Sequence, residues 1–148
     1  MSGIPILPPL AALALFVVWT LLLVLSIGVW RVSQILTLGK GPDDFPSGTK
    51  HGGEAYWRLN RAHMNAVENL PMFAAVVLAG TYLQIDSMVF QLLPSLVLYA
   101  RVVQSAIHIS SGSRFAVTLR FLAFGVQVFS MFLMAAGVIG ATGVAMPW

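Results

Sequence analysis

The sequence contains no cysteine. That excludes an internal disulfide, a thiolate nucleophile and any cysteine-ligated metal, so thiol chemistry would have to arrive with a ligand. Charge is scarce as well. Charged residues make up 9% of the chain and hydrophobic residues 58%, with a mean hydropathy of +0.86, a balance that points to an integral membrane protein rather than a soluble domain. The 148 residues leave room for a single domain over 1–148, with about four spans and short loops. A net charge of +3 and a pI near 9.8 raise nucleic acid as a partner, but the eight Lys and Arg residues are scattered at helix ends and make no basic patch.

Ile4 to Trp30 carries no charge, which is long enough to span with tilt and too long for a signal-peptide core, so it reads as a retained first helix over about 4–37. Trp30 and Arg31 mark where it leaves the bilayer. Between Leu38 and Gly53 stand Gly39-Lys40-Gly41-Pro42, Asp43-Asp44, Pro46 and Gly52-Gly53, breakers throughout. This is a loop, and without Walker spacing Gly39-Lys40-Gly41 is a plain connector. Further helices are predicted over about 54–82, 87–110 and 114–144, giving an all-α four-transmembrane-helix bundle. All eight Lys and Arg residues fall in or beside the first and third loops. The positive-inside rule then puts those loops in the cytoplasm and both termini on the opposite side.

The second helix is organised around Arg58 to Phe73. Arg58, Arg61, Asn65, Glu68 and Asn69 fall within an arc of about 100° on a helix and make one polar stripe. The apolar run after them, Leu70 to Ile85, is short of the roughly 20 residues a span needs, so this helix crosses only by drawing Glu68 into the bilayer. An intramembrane carboxylate is a functional hypothesis by default. The third helix has its own stripe, with Arg101, Gln104, Ser105 and His108 at i, i+3, i+4 and i+7. Counting outward from the turn at Gln84 sets Glu68 and Arg101 at nearly one depth. Such a pair would neutralise two charges that alone cost about 2.5–3.5 kcal/mol each to insert. Tyr99 points away from Arg101 and reads as packing. His51, His63 and His108 lie on a loop, a back face and another helix, which gives a metal site little support.

Arg61-Ala62-His63-Met64-Asn65-Ala66-Val67-Glu68-Asn69, followed by Pro71 and Phe73, resembles the helix-two signature of the MAPEG family, the membrane-associated proteins in eicosanoid and glutathione metabolism. The likeness is nearest to the microsomal glutathione transferase branch, and Ala100-Arg101-Val102 resembles the family's helix-three segment. The resemblance implies a homotrimer with glutathione held between neighbouring subunits. It implies glutathione contacts from Arg61, Asn65 and Glu68, with Arg58, Asn69, Arg101, Gln104 and His108 around them. Arg forks suit the tripeptide's carboxylates, and a Glu suits its ammonium. A further Arg would hold the thiol as thiolate. Arg114 and Arg120 are the two catalytic candidates for that role, the family resemblance favouring Arg114, with Arg31 a third. Where family synthases commonly carry a Tyr after the helix-three Arg, this chain has Gln104 and His108, which weakens an eicosanoid synthase reading.

The expectation is therefore a membrane-bound glutathione transferase, with lipid-hydroperoxide reduction as a related outcome and an apolar electrophile entering from the lipid. Two rivals stand beside it. One is a non-catalytic lipid-presenting protein of the same family. The other is a small transporter subunit using Glu68 and Arg101 as an ion path, against which helix one offers no polar lining and the chain no internal repeat.

Overall fold

A computed structural model describes residues 5–46 and 48–143. Four helices account for most of them: α1 Pro9–Leu38, α2 Glu54–Tyr82, α3 Met88–Ser110 and α4 Arg114–Ala141. The start of α1 corrects the sequence expectation, which began this helix at Ile4; Ile4 lies outside the described residues, and residues 5–8 are not helical. Proline is the reason. Pro9 holds Pro8 in extended geometry (φ −52°, ψ 142°), while Pro9 itself suits a first helical position, where no N–H is needed. The extended segment is tied down. Leu7 N donates to Ser95 Oγ at 2.8 Å and Tyr99 hydroxyl to the Pro5 carbonyl at 2.8 Å, so Tyr99 anchors the N-terminal segment rather than merely packing. At the other end α4 stops at Ala141; position 144, where the sequence reading ended it, lies outside the described residues.

α2 and α3 each touch all three other helices, and α1 and α4 flank them. The two helices with polar stripes are thus the central pair. Phe16 of α1 meets Phe73 of α2 with ring centroids 5.3 Å apart, and Val77, Val97 and Met134 complete a closed apolar core. Outside that core, α1 exposes Leu21, Leu25 and Val29, and α4 exposes Phe121, Phe129 and Phe132. Faces this apolar fit lipid or another membrane helix.

Among the described residues, α1, α3 and α4 are long and apolar enough to cross a membrane, with mean hydropathies of 2.8, 1.4 and 2.1 over their best windows. α2 does not reach that level. Its length of 29 residues corresponds to about 43 Å, ample for a crossing, but Arg58, Arg61 and Glu68 dilute its apolar run.

The α1–α2 connection is packed, not slack. Gly39, at φ 65°, closes α1 in left-handed geometry, its N–H donating to the Ile35 carbonyl. Phe45 is buried, and Lys40 lies 5.9 Å from the ring centres of both Trp30 and Phe45. Gly52, at φ 71°, leaves no room for a side chain, because a Cβ there would stand 2.9 Å from both Trp30 and Tyr56.

Candidate functional site

The polar stripes of α2 and α3 meet the first half of α4 in a cleft of about 330 Å³. Asn65, Glu68 and Asn69 come from α2, Gln104 and His108 from α3, and Arg120 from α4; Val117, Phe121 and Phe124 close the rest of the lining. Helical spacing explains the α2 set, because i, i+3 and i+4 share a face. Glu68 is exposed to this cleft, Asn65 and His108 are half-buried, and Asn69 is buried. One carboxylate and one guanidinium line a single concavity, with amide and imidazole groups between them. It can take a small ligand bearing charges of both signs, and its volume is that of an ordinary small-molecule site.

A second, apolar cleft of about 240 Å³ runs further down between α2 and α4, lined by Met72, Val76, Val128, Met131 and Phe132. It shares Asn69 and Phe124 with the polar cleft. The two are neighbours on one face of the bundle.

Arg61 goes elsewhere. It lines a third cleft, of about 320 Å³, between α1, the α1–α2 loop and α2, together with Arg31, His51, Asn60 and His63. The α2 stripe is therefore divided between two clefts, with Arg61 facing one and Asn65, Glu68 and Asn69 the other. His51 Nε2 is buried there without a partner.

Three further residues of the expected site take other positions. Arg58 Nε donates to the Ile109 carbonyl at 3.0 Å, so its side chain caps the last turn of α3. Arg114 opens α4, exposed, and is absent from the lining of all three clefts, whereas Arg120 faces the polar one. Arg101 is 0% exposed and stands behind Gln104, with its guanidinium 5.6 Å from the Phe16 ring centre.

Glu68 and Arg101 form no salt bridge, although the Glu68 charge acts on the Arg101 guanidinium through space. Among the described residues the salt bridge is Lys50–Glu54, and Arg101 donates instead from Nη1 to Gln104 Oε1 at 2.8 Å. Matching depth was not enough, because Arg101 turns toward α1 while Glu68 opens outward.

Sequence reasoning passed over Gln127, which is 0% exposed on α4. Its Nε2 donates to Gln104 Oε1 at 3.1 Å and to the Ala123 carbonyl at 2.9 Å. The available signal was a lone amide inside the apolar run Phe124 to Phe129, since polar groups within a span are costly and carry a role.

Among the described residues no group of three or more His, Asp or Glu side chains could hold a metal ion. No curated protein matches the chain. The model of the MAPEG family matches residues 9–140, a stretch that carries every residue of all three clefts but not the extended residues 5–8, and the chain belongs to that family.

Proposed function

We propose that this integral membrane protein is a glutathione transferase that holds the tripeptide's thiol as thiolate and delivers it to an apolar electrophile. The observation that carries this reading is the junction of the two clefts at Asn69 and Phe124. A polar recess with charges of both signs opens there onto an apolar one, which is the layout a reaction between a charged tripeptide and a lipid-soluble partner requires. Glu68 accepts from the ammonium, Asn65 pairs with the peptide, and His108 donates to a carboxylate. Arg120, on the wall of the same cleft, favours the thiolate over the thiol. The thiol proton leaves to solvent, the sulfur forms a bond to the electrophilic carbon, and the leaving group departs with its electron pair. A lipid hydroperoxide in the apolar cleft would instead oxidise two glutathione thiols to the disulfide and leave an alcohol and water.

Arg61 completes the site from a second copy. Within one chain it lines a different cleft from Glu68, and in a ring of copies the Arg31–Arg61 cleft of one meets the Glu68–Arg120 cleft of the next. A homotrimer with glutathione between subunits has that arrangement. α2 crosses the bilayer as the fourth span, because it packs along spanning helices at both ends, on α1 through Tyr56 and on α3 through Gly80. The cation-bearing loops face the cytoplasm and both termini the other side.

The test is ultraviolet absorbance of bound thiolate in detergent-purified protein with glutathione. The expected result is a thiolate signal in the wild type and in Arg114→Ala, and its loss in Arg120→Ala. Binding without thiolate in the wild type would indicate a lipid-presenting protein. No binding at all would reject the reading and leave transport as the next candidate.

A further inference from the structure

Arg101 is a cation sealed inside the bundle; its charge acts on Glu68 of the polar cleft through space, and its hydrogen bond toward that cleft goes to Gln104. Arg101 does not line that cleft, and Gln104 does. Gln104 Oε1 accepts from Arg101 Nη1 at 2.8 Å and from Gln127 Nε2 at 3.1 Å, while Gln104 Nε2 donates to the Arg120 carbonyl at 3.2 Å. The amide is held by three contacts. Arg101 can only donate, so an oxygen must face it, and the nitrogen must face the carbonyl of α4. Gln127 is oriented just as firmly, since its nitrogen lies between two oxygens, those of Gln104 and Ala123.

That arrangement has a cost. Gln127 Oε1 is buried without a partner, as are Nε and Nη2 of Arg101. Each orphaned polar group in such a place is destabilising. A Gln retained at this position for stability alone would be replaced to advantage by an apolar residue of like volume. What Gln127 does provide is a second donor on the Gln104 oxygen, and with it a brace from α3 to the turn of α4 that carries Arg120.

We infer that Gln127 is a positioning residue: it locks the Gln104 amide between Arg101 and the Arg120 turn, and so sets the cationic field over the cleft in which the bound thiol ionises. Without the Gln127 donor, the Gln104 oxygen keeps only the Arg101 contact, and the tie between this amide and α4 is reduced to the 3.2 Å bond to the Arg120 carbonyl. The turn of α4 that carries Arg120 is then held less firmly against α3, and the Arg120 guanidinium no longer has a fixed place beside the bound thiol. Gln127 itself touches no ligand.

This inference rests on the transferase reading, and one experiment separates the two. The thiolate absorbance of bound glutathione is titrated with pH in the wild type, in Gln127→Met, which keeps the volume and removes the donor, and in Gln127→Asn, which keeps an amide on a shorter stem. Thermal unfolding is measured on each. The expected result for Gln127→Met is a higher thiol pKa, with a thiolate population at neutral pH lower by about three- to tenfold, the size of one lost hydrogen bond. Glutathione affinity and melting temperature stay close to wild type, and Gln127→Asn falls between. If Gln127→Met does not fold, Gln127→Asn against the wild type makes the same comparison. An unchanged thiol pKa, with or without a lower melting temperature, would reduce Gln127 to a structural role and overturn the inference alone. A wild type that binds no glutathione would overturn the transferase reading and the inference together.

Discussion

Trp30, near the end of α1, lies face to face with Tyr56, in the first turn of α2, with ring centroids 3.6 Å apart and planes 17° apart. The Tyr56 hydroxyl accepts from Arg31 Nε at 2.8 Å, so one side chain clamps the α1–α2 hairpin and fixes a cation of the Arg61 cleft. The two roles come apart by mutation. Tyr56→Phe keeps the stack and loses only the hydrogen bond, at about 1 kcal/mol, while Tyr56→Ala removes a buried ring at about 3 kcal/mol or more. Denaturant unfolding in detergent should show the larger loss only for Tyr56→Ala, and glutathione affinity should fall in both.

Gly80 of α2 sits directly under the Phe90 ring of α3, and a Cβ at that position would overlap the ring. Small residues allow this close approach of membrane helices. Gly80→Ala should therefore destabilise by about 1–3 kcal/mol, the usual penalty for overpacking. Phe90→Leu in the same chain should return much of the loss. A double-mutant cycle on melting temperature that gives plain additivity would show that the two positions do not share the space.

Glu54 is fully exposed at the first position of α2, and the hydrogen bond and charge of Lys50 hold its carboxyl below the usual value of 4.5. A depressed pKa means the folded state favours the ionised form. The support Glu54 gives the helix start is therefore present above that value and lost as pH falls through and below it. Amide protection in the first turn of α2, taken relative to the intrinsic exchange rate at each pH, should fall between about pH 6 and pH 3 in the wild type and stay flat in Glu54→Gln. Added salt should shrink the difference, as for any exposed pair.

Spacing along the chain was enough to bring Glu68, Gln104 and His108 to one site, because a helical period and a depth count from the Gln84 turn are local quantities. Facing direction was not. Arg101 matches Glu68 in height yet lies over Phe16, since the rotation of α3 about its own axis depends on how Phe16, Phe73 and Val97 pack. Arg61 and Asn65 are one turn apart on one stripe, but the α1–α2 loop folds over α2 and gives Arg61 a different cleft. That loop reads as breakers because Gly and Pro dominate its composition; its order comes from Trp30, Phe45 and Tyr56, which are far apart in sequence. Arg114 and Arg120 both suit an anion by residue type, and only the helix phase of α4 distinguishes them.

The division of the α2 stripe makes the proposed assembly testable without a structure of it. If glutathione lies between copies, Arg61→Ala disables one wall of each site and Arg120→Ala the other, and each homotrimer should be inactive. Co-expressed in one membrane, the two variants form mixed rings in which some sites draw an intact Arg61 wall from one copy and an intact Arg120 wall from the next. Random mixing in a closed head-to-tail ring restores about a quarter of the sites. Conjugating activity should therefore return to about that fraction of wild type, while the two variants expressed separately and mixed after purification stay inactive. No recovery on co-expression would place Arg61 and Arg120 on the same site within one chain and remove the need for a neighbouring copy.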